Sequence, residues 1–177
     1  MIFCLRVMSN KQKEVQKVNN ELTLTRLMNE HGNSIIRLCA MYLNDTALAE
    51  DAAQETFLKA FRALDSFRGD SSYKTWLTRI AINVCKDMSH KRRRQPISFE
   101  VLPEASAYDS PDDDSVIKEV LALPEKYRTV TLLRYYQELT LEEIAEILGM
   151  RRNSVSTRLM RAREMLKKRI GAWYFGD

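Results

Sequence analysis

Between residues 96 and 115 the chain loses its apolar rhythm and turns acidic, and this interruption limits the fold more than any other feature. Residues 100–119 carry Glu100, Glu104, Asp109, Asp112, Asp113, Asp114 and Glu119 against the single base Lys118, with Pro103 and Pro111 among them. Like charges repel one another and prolines block helix, so the stretch reads as a flexible acidic linker. On both sides of it, apolar residues recur at steps of three and four, the spacing of a buried helix face. The chain is therefore expected to be all-α: two small helical domains, 21–95 and 116–172, joined by the linker 96–115. Residues 1–20 are expected to be a disordered tail, with Met8 a second candidate start. The 177 residues suffice for one domain or two small ones, and Gly 5 with Pro 4 is too few for the turns of an all-β fold. No apolar run approaches the length of about 20 residues that a membrane span needs, and Met1–Met8 is too short for a signal-peptide core. The expectation is a soluble, cytoplasmic protein.

Cysteine and histidine exclude several chemistries. Cys4, Cys39 and Cys85 are far apart, as are His31 and His90, and no C-x-x-C or H-x-x-x-H pair exists. Zinc ligation and dithiol redox chemistry are thus unsupported. A Cys–His pair assembled in space is the sharper alternative, but Cys39 and Cys85 read better as small buried apolar residues on helices. Phe67-Arg-Gly-Asp70 holds a lone glycine, which makes no phosphate loop. No catalytic residue, metal, cofactor or small-molecule substrate is expected, and the chain does not read as an enzyme.

In the first block, Leu22 to about Leu43 has helical periodicity, and Asn44-Asp45-Thr46 breaks it with Asp45 or Thr46 available as an N-cap. The next helix carries Ala49, Ala52, Ala53, Thr56, Phe57, Ala60, Phe61 and Leu64 as one stripe for burial, with Glu50, Asp51, Gln54, Glu55, Lys59 and Arg62 opposite. A polar loop, Asp65 to Ser72, leads to a third helix from about Tyr73 to Arg92. That helix buries Trp76, Leu77, Ile80, Ala81 and Val84 and ends in Lys91-Arg92-Arg93-Arg94 before Pro96.

The second block begins with a short helix, Val116 to Leu123, and Pro124 suits the first turn of the next, Glu125 to Tyr136. Thr140-Leu-Glu-Glu143 is a capping box, in which the hydroxyl and the carboxylate satisfy each other's orphan N–H groups. Small Ala145 lets two helices cross closely, Gly149 supplies a left-handed turn, and Ile144, Leu148, Val155 and Leu159 face inward. Together these describe a helix-turn-helix. An uncharged helical hairpin would share that core, but from Arg151 to Arg169 eight bases (Arg151, Arg152, Arg158, Arg161, Arg163, Lys167, Lys168 and Arg169) accompany one acid, Glu164. Such a helix is built to meet phosphate.

The first block holds a second signal. Phe67, Tyr73 and Trp76 surround a loop of small polar residues, and Lys86 and Lys91 to Arg94 follow. Aromatic faces stack unpaired bases while cations hold the backbone, which suits single-stranded nucleic acid. Taken alone, Trp76 reads more readily as a core residue, and the basic run as a solvated helix end.

In combination, "AEDAAQETFLKAF" (49–61), "SFRGDSSYKTWLTRIAINVCKD" (66–87) and "LPEKYRTVTLLRYYQELTLEEIAEILGMRRNSVSTRLMRARE" (123–164), in this order around an acidic linker, resemble the extracytoplasmic-function sigma factors of the bacterial sigma-70 family. The resemblance covers about residues 25–172. It implies that the first domain (region 2) binds the clamp helices of core RNA polymerase and reads a melted minus-ten element. It implies likewise that the second (region 4) reads the duplex minus-thirty-five element beside the polymerase flap. Asp51, Gln54 and Glu55 then match the clamp-binding face. Asn83 matches a position that contacts non-template bases, with Arg79, Lys86, Phe67 and Trp76 beside it, and the loop Phe67–Ser72 matches the one that captures a flipped base. Arg151, Arg152, Asn153, Ser154, Ser156, Thr157, Arg158 and Arg161 match the recognition helix. An anti-sigma factor, often membrane-anchored in the family, is the further partner implied. Primary sigma factors carry two adjacent tryptophans, whereas Leu77 follows Trp76 here, which implies a weaker melting wedge and a stricter promoter preference.

Geometry agrees: about 20 extended residues reach at most roughly 70 Å, near two turns of DNA at about 34 Å each. The alternative is a conventional regulator that dimerises, binds duplex DNA through the helix-turn-helix and senses a signal with its first domain.

Overall fold

The computed structural model describes residues 2–94 and 114–170, with side chains from 14–92 and 116–170. Within these bounds it is helical throughout: α1 (Ile2–Leu43), α2 (Thr46–Ala63), a 3-10 turn (Leu64–Ser66), α3 (Tyr73–Arg94), α4 (Asp114–Leu121), α5 (Glu125–Thr131), a π-helical turn (Leu132–Tyr136), α6 (Leu141–Leu148) and α7 (Arg152–Ile170). The greater part of the linker 96–115 lies outside the described residues.

Local chemistry sets most of the boundaries. Asp45 caps α2, its carboxylate accepting from the Leu48 N–H at 3.0 Å. Ser72 caps α3 through the Thr75 N–H at 3.1 Å. At α6 the full capping box forms: Glu143 N–H donates to the Thr140 hydroxyl at 3.3 Å and Thr140 N–H to the Glu143 carboxylate at 2.9 Å. The helix ends at Gly149, whose φ of 63° and ψ of 41° are left-handed.

Four expectations need correction. Helix α1 runs back through residues 2–20, where a disordered tail is expected, and Gln16 and Asn20 tie this part to Asp65 of the 3-10 turn. The Lys, Gln and Glu residues between Lys11 and Lys17 favour helix there, and the polar anchor ties it down while Val15 and Val18 remain exposed. Helix α4 occupies Asp114–Leu121, two residues earlier than read. Pro124 is the N-cap of α5 rather than a first-turn residue, its carbonyl accepting from Tyr127 and Arg128 N–H at 2.8 and 3.0 Å. The helix expected over Glu125–Tyr136 widens into a π turn after Thr131.

The stripe on α2 is buried as patterned, from Ala49 to Ala60, with Phe61 only partly covered. It packs with Leu27, Ile35 and Leu38 of α1 and with Leu77, Ala81 and Val84 of α3. Trp76 and Ile80 are half-buried. Cys39 and Cys85 are buried and meet one another rather than a histidine. Their mutual hydrogen bond, and then burial, push the Cys85 thiol far above its ordinary range, so it is an inert neutral group.

The two halves pack on one another. The buried cluster of the first continues into Val130, Leu133, Ile144, Val155 and Leu159 of the second. Polar contacts lock the seam: the Gln137 amide donates to the Ser34 hydroxyl at 3.1 Å, and Gln137 is 1% exposed. Tyr42 donates to Glu125 at 3.0 Å, and Arg128 reaches the Tyr42 carbonyl at 3.2 Å. Burial, and then the Glu125 charge, raise the Tyr42 phenol well above its usual value, so it remains a donor.

Candidate nucleic-acid interface

Helices α6 and α7 build the expected helix-turn-helix. Ile144, Val155 and Leu159 are buried at its corner, while Leu148 is half-buried beside them. Arg151, Arg152, Asn153, Ser154, Ser156, Thr157 and Arg161 are exposed along the first turns of α7. Part of this charge is already engaged. Arg152 pairs with Glu142, and Arg169 with Glu119 at 3.4 Å. Arg163 donates to the Tyr135 hydroxyl at 2.6 Å, and the Arg161 guanidinium beside the Tyr127 hydroxyl lowers its pKa. Arg158 and Arg161 are one turn apart but have different surroundings: Arg161 is exposed beside Tyr127, while Arg158 is half-buried in a cleft at the seam. Arg158 shares its surroundings with Glu125, which lines the same cleft. That cleft, about 430 Å³, is also lined by Lys86, Lys126 and Tyr42, so it joins one candidate from each half.

On α3, Trp76, Arg79, Asn83 and Lys86 follow at steps of three, four and three, which places them on one face. Asn83 is exposed and Lys86 half-buried. At the head of this stripe, Phe67 stacks on Tyr73 with centroids 4.5 Å apart and planes at 25°, and meets Trp76 at 5.0 Å. Trp76 thus packs on the core with one part of its ring and forms one wall of an aromatic cluster beside the loop with the other. Gly69, at φ 76°, makes the bend between Phe67 and Ser72.

Sequence alone misses what covers this face. Helix α6 lies across the start of α3: Thr75 donates to Glu143 at 2.6 Å and Arg79 pairs with Glu146, while Lys74 approaches Glu138, ahead of α6, at 3.9 Å. The Arg79 Nε–H is buried without an acceptor among the described residues, so the carboxylate satisfies only part of the guanidinium.

On α2, Asp51 and Gln54 are exposed and Glu55 is half-buried. Glu55 has a partner in Lys59 at 3.9 Å, which also reaches Asp87 at 3.8 Å. The like-charge pair Asp51 and Glu55 is therefore not left uncompensated. Leu58 shares this face one turn on and is 50% exposed, an apolar centre that the polar pattern hides. Among the described residues no group of three metal-ligating side chains occurs, and no helix is long and apolar enough to cross a membrane.

Residues 27–95 match the family model of sigma-70 region 2, and residues 114–166 that of sigma-70 region 4. The ECF RNA polymerase sigma factor SigW of Bacillus subtilis is 32% identical over 94% of this chain and 98% of its own length. The RNA polymerase sigma-H factor of Pseudomonas aeruginosa is 34% identical over 81% of this chain and 84% of its own. Among solved structures, the sigma factor RpoE in complex with the anti-sigma factor NepR, from Bartonella quintana, superposes with a TM-score of 0.64 at 26% identity. It covers 81% of this chain and 95% of that one. A region 2 that carries an aromatic and cationic α3, followed by a region 4 helix-turn-helix, places this chain among the ECF RNA polymerase sigma factors, non-enzymatic subunits that direct promoter recognition and transcription initiation.

Proposed function

We propose that the α3 stripe Trp76, Arg79, Asn83 and Lys86, with the loop Phe67–Ser72, reads the melted minus-ten strand. In the same reading, α7 from Arg151 to Arg161 reads the duplex minus-thirty-five element. The observation that supports this most is the pairing of two unlike readers on one chain. An aromatic cluster with an exposed amide beside it suits unstacked bases, and a basic helix after a left-handed glycine turn suits a major groove. Asp51, Gln54, Glu55 and Leu58 form the face for the polymerase clamp helices.

The packed arrangement is then a resting state. Thr75 and Arg79 are occupied by Glu143 and Glu146, carboxylates standing where phosphates would bind. Reading two elements some two helical turns apart requires the halves to separate. The protein works in the cytoplasm. An anti-sigma factor, the partner that NepR is for RpoE, would act by keeping both readers from DNA. Transcription with core polymerase on linear promoter DNA tests the assignment. Asn83→Ala should change the base preference at the downstream element and Arg151→Ala the affinity for the upstream one. Identical promoter selection by both variants and the native chain would refute it.

A further inference from the structure

The N-terminal part of α1 meets both ends of the loop that follows α2. Asp65 precedes the loop, in the last turn after α2, where a carboxylate faces the negative end of the helix dipole. Two amides offset this placement: Asn20 Nδ2 donates to Asp65 Oδ1 at 2.8 Å, and Gln16 Nε2 donates to the same oxygen at 3.0 Å. Gln16 also donates to Asn20 Oδ1 at 3.3 Å, so the two amides hold each other in place. The carboxyl of Asp65 lies below its usual range because Asn20, and then Gln16, favour its ionised form. At the far end of the loop, the Arg26 guanidinium stands 5.9 Å over the Tyr73 ring, which stacks on Phe67. The 3-10 turn fixes the Asp65 backbone, and among the described residues Asn20 and Gln16 are the side chains bonded to its carboxylate. Gln16 and Asn20 also precede residue 27, where the region 2 match begins.

We propose that Gln16 and Asn20 are positioning residues: by holding Asp65 they fix the loop Phe67–Ser72 in the shape that reads the downstream element. Residues ahead of the family domain thus set part of promoter specificity. The inference rests on the assignment of this loop to melted DNA. The mechanism is preorganisation, since a loop pinned at both ends loses less freedom when it encloses a base. A purely structural role would instead lower stability and affect all promoters alike.

The test is transcription by core polymerase and the full-length chain from a promoter library randomised at the downstream element, with thermal unfolding and upstream-element binding measured alongside. Asn20→Asp places a second carboxylate against Asp65. It should lower the preference for the best over the next-best base about tenfold, roughly the factor one charge-assisted hydrogen bond supplies. Upstream binding should stay unchanged. Combining Asn20→Asp with Asp65→Asn restores donor facing acceptor with the roles exchanged, and should return the preference to within about twofold of native. If Asn20→Asp leaves the preference intact while Asn83→Ala alters it, the positioning role is overturned and the loop assignment stands. If neither alters it, the loop assignment fails and the positioning role falls with it. A uniform loss over all bases that the exchanged pair does not repair also overturns the proposal.

Discussion

Arg79 of α3 and Glu146 of α6 form an ion pair between the two halves of the chain, so a residue assigned to one promoter element is held by the helix that supports the reader of the other. The pair is partly exposed, and such contacts contribute about 0.2–1 kcal/mol each. The seam therefore depends on several of them together with the shared apolar cluster. Glu146→Lys should repel Arg79 and loosen the seam without touching either DNA-reading face. The free chain should then bind a single-stranded downstream element several-fold more tightly in fluorescence anisotropy, with a larger radius in solution scattering. An unchanged radius and affinity would show that this pair does not hold the halves together.

Acid should open the same seam. The Glu143 carboxyl is held below its ordinary range, first by the Thr75 hydroxyl and then by the Thr140 backbone N–H. A depressed carboxyl stabilises the packed form above its unfolded pKa, and that contribution is lost as pH falls through the lower, folded value. Energy transfer between dyes on the two halves should therefore decline on acidification below the usual carboxylate range. Glu143→Gln should flatten that part of the profile, because its amide does not ionise.

The turn between α6 and α7 should be sensitive to two single changes. Thr140→Ala removes the side-chain half of the capping box and should cost about 1 kcal/mol. Gly149→Ala meets no steric neighbour within 4 Å, so its cost comes from the left-handed backbone alone, about 1–2 kcal/mol. Both would appear as lower unfolding midpoints, with the upstream affinity of the folded fraction retained.

These two positions also show what is legible in a sequence. A capping box and a C-terminal glycine act within four residues of their own helix, so composition and spacing reveal them. The inward stripe of α2 and the α3 face are legible for the same reason, since helical period alone places Trp76, Arg79, Asn83 and Lys86 together. The partners of those residues are not. Glu146 stands 67 positions from Arg79, and Asp65 stands 45 from Asn20. No periodicity carries information across such distances. The helical start of α1 is hidden because its anchor is polar and distant, and the divergence of Arg158 from Arg161 depends on how the second half seats on the first.

The face on α2 gives the most direct test of the polymerase assignment. Asp51, Gln54 and Leu58 are exposed on one side of a helix whose other side is fully buried, so substitutions there should cost within about 0.5 kcal/mol of stability. Glu55 differs, because Lys59 already neutralises part of its charge and its replacement should matter less. Leu58 is the residue to weigh most. Interface energy concentrates in well-packed centres surrounded by polar residues, and a leucine 50% exposed amid Asp51, Gln54 and Glu55 has that setting. Leu58→Ala should weaken core-polymerase binding by about 1–2 kcal/mol, roughly five- to thirtyfold, through lost apolar burial. Asp51→Lys with Gln54→Ala should abolish it by removing the acidic complement to a basic partner. Both variants should keep native melting temperatures and native upstream-element binding. Pull-down of core polymerase at wild-type strength by the Asp51→Lys, Gln54→Ala chain would assign this face to solvent and move the polymerase contact elsewhere on the first half.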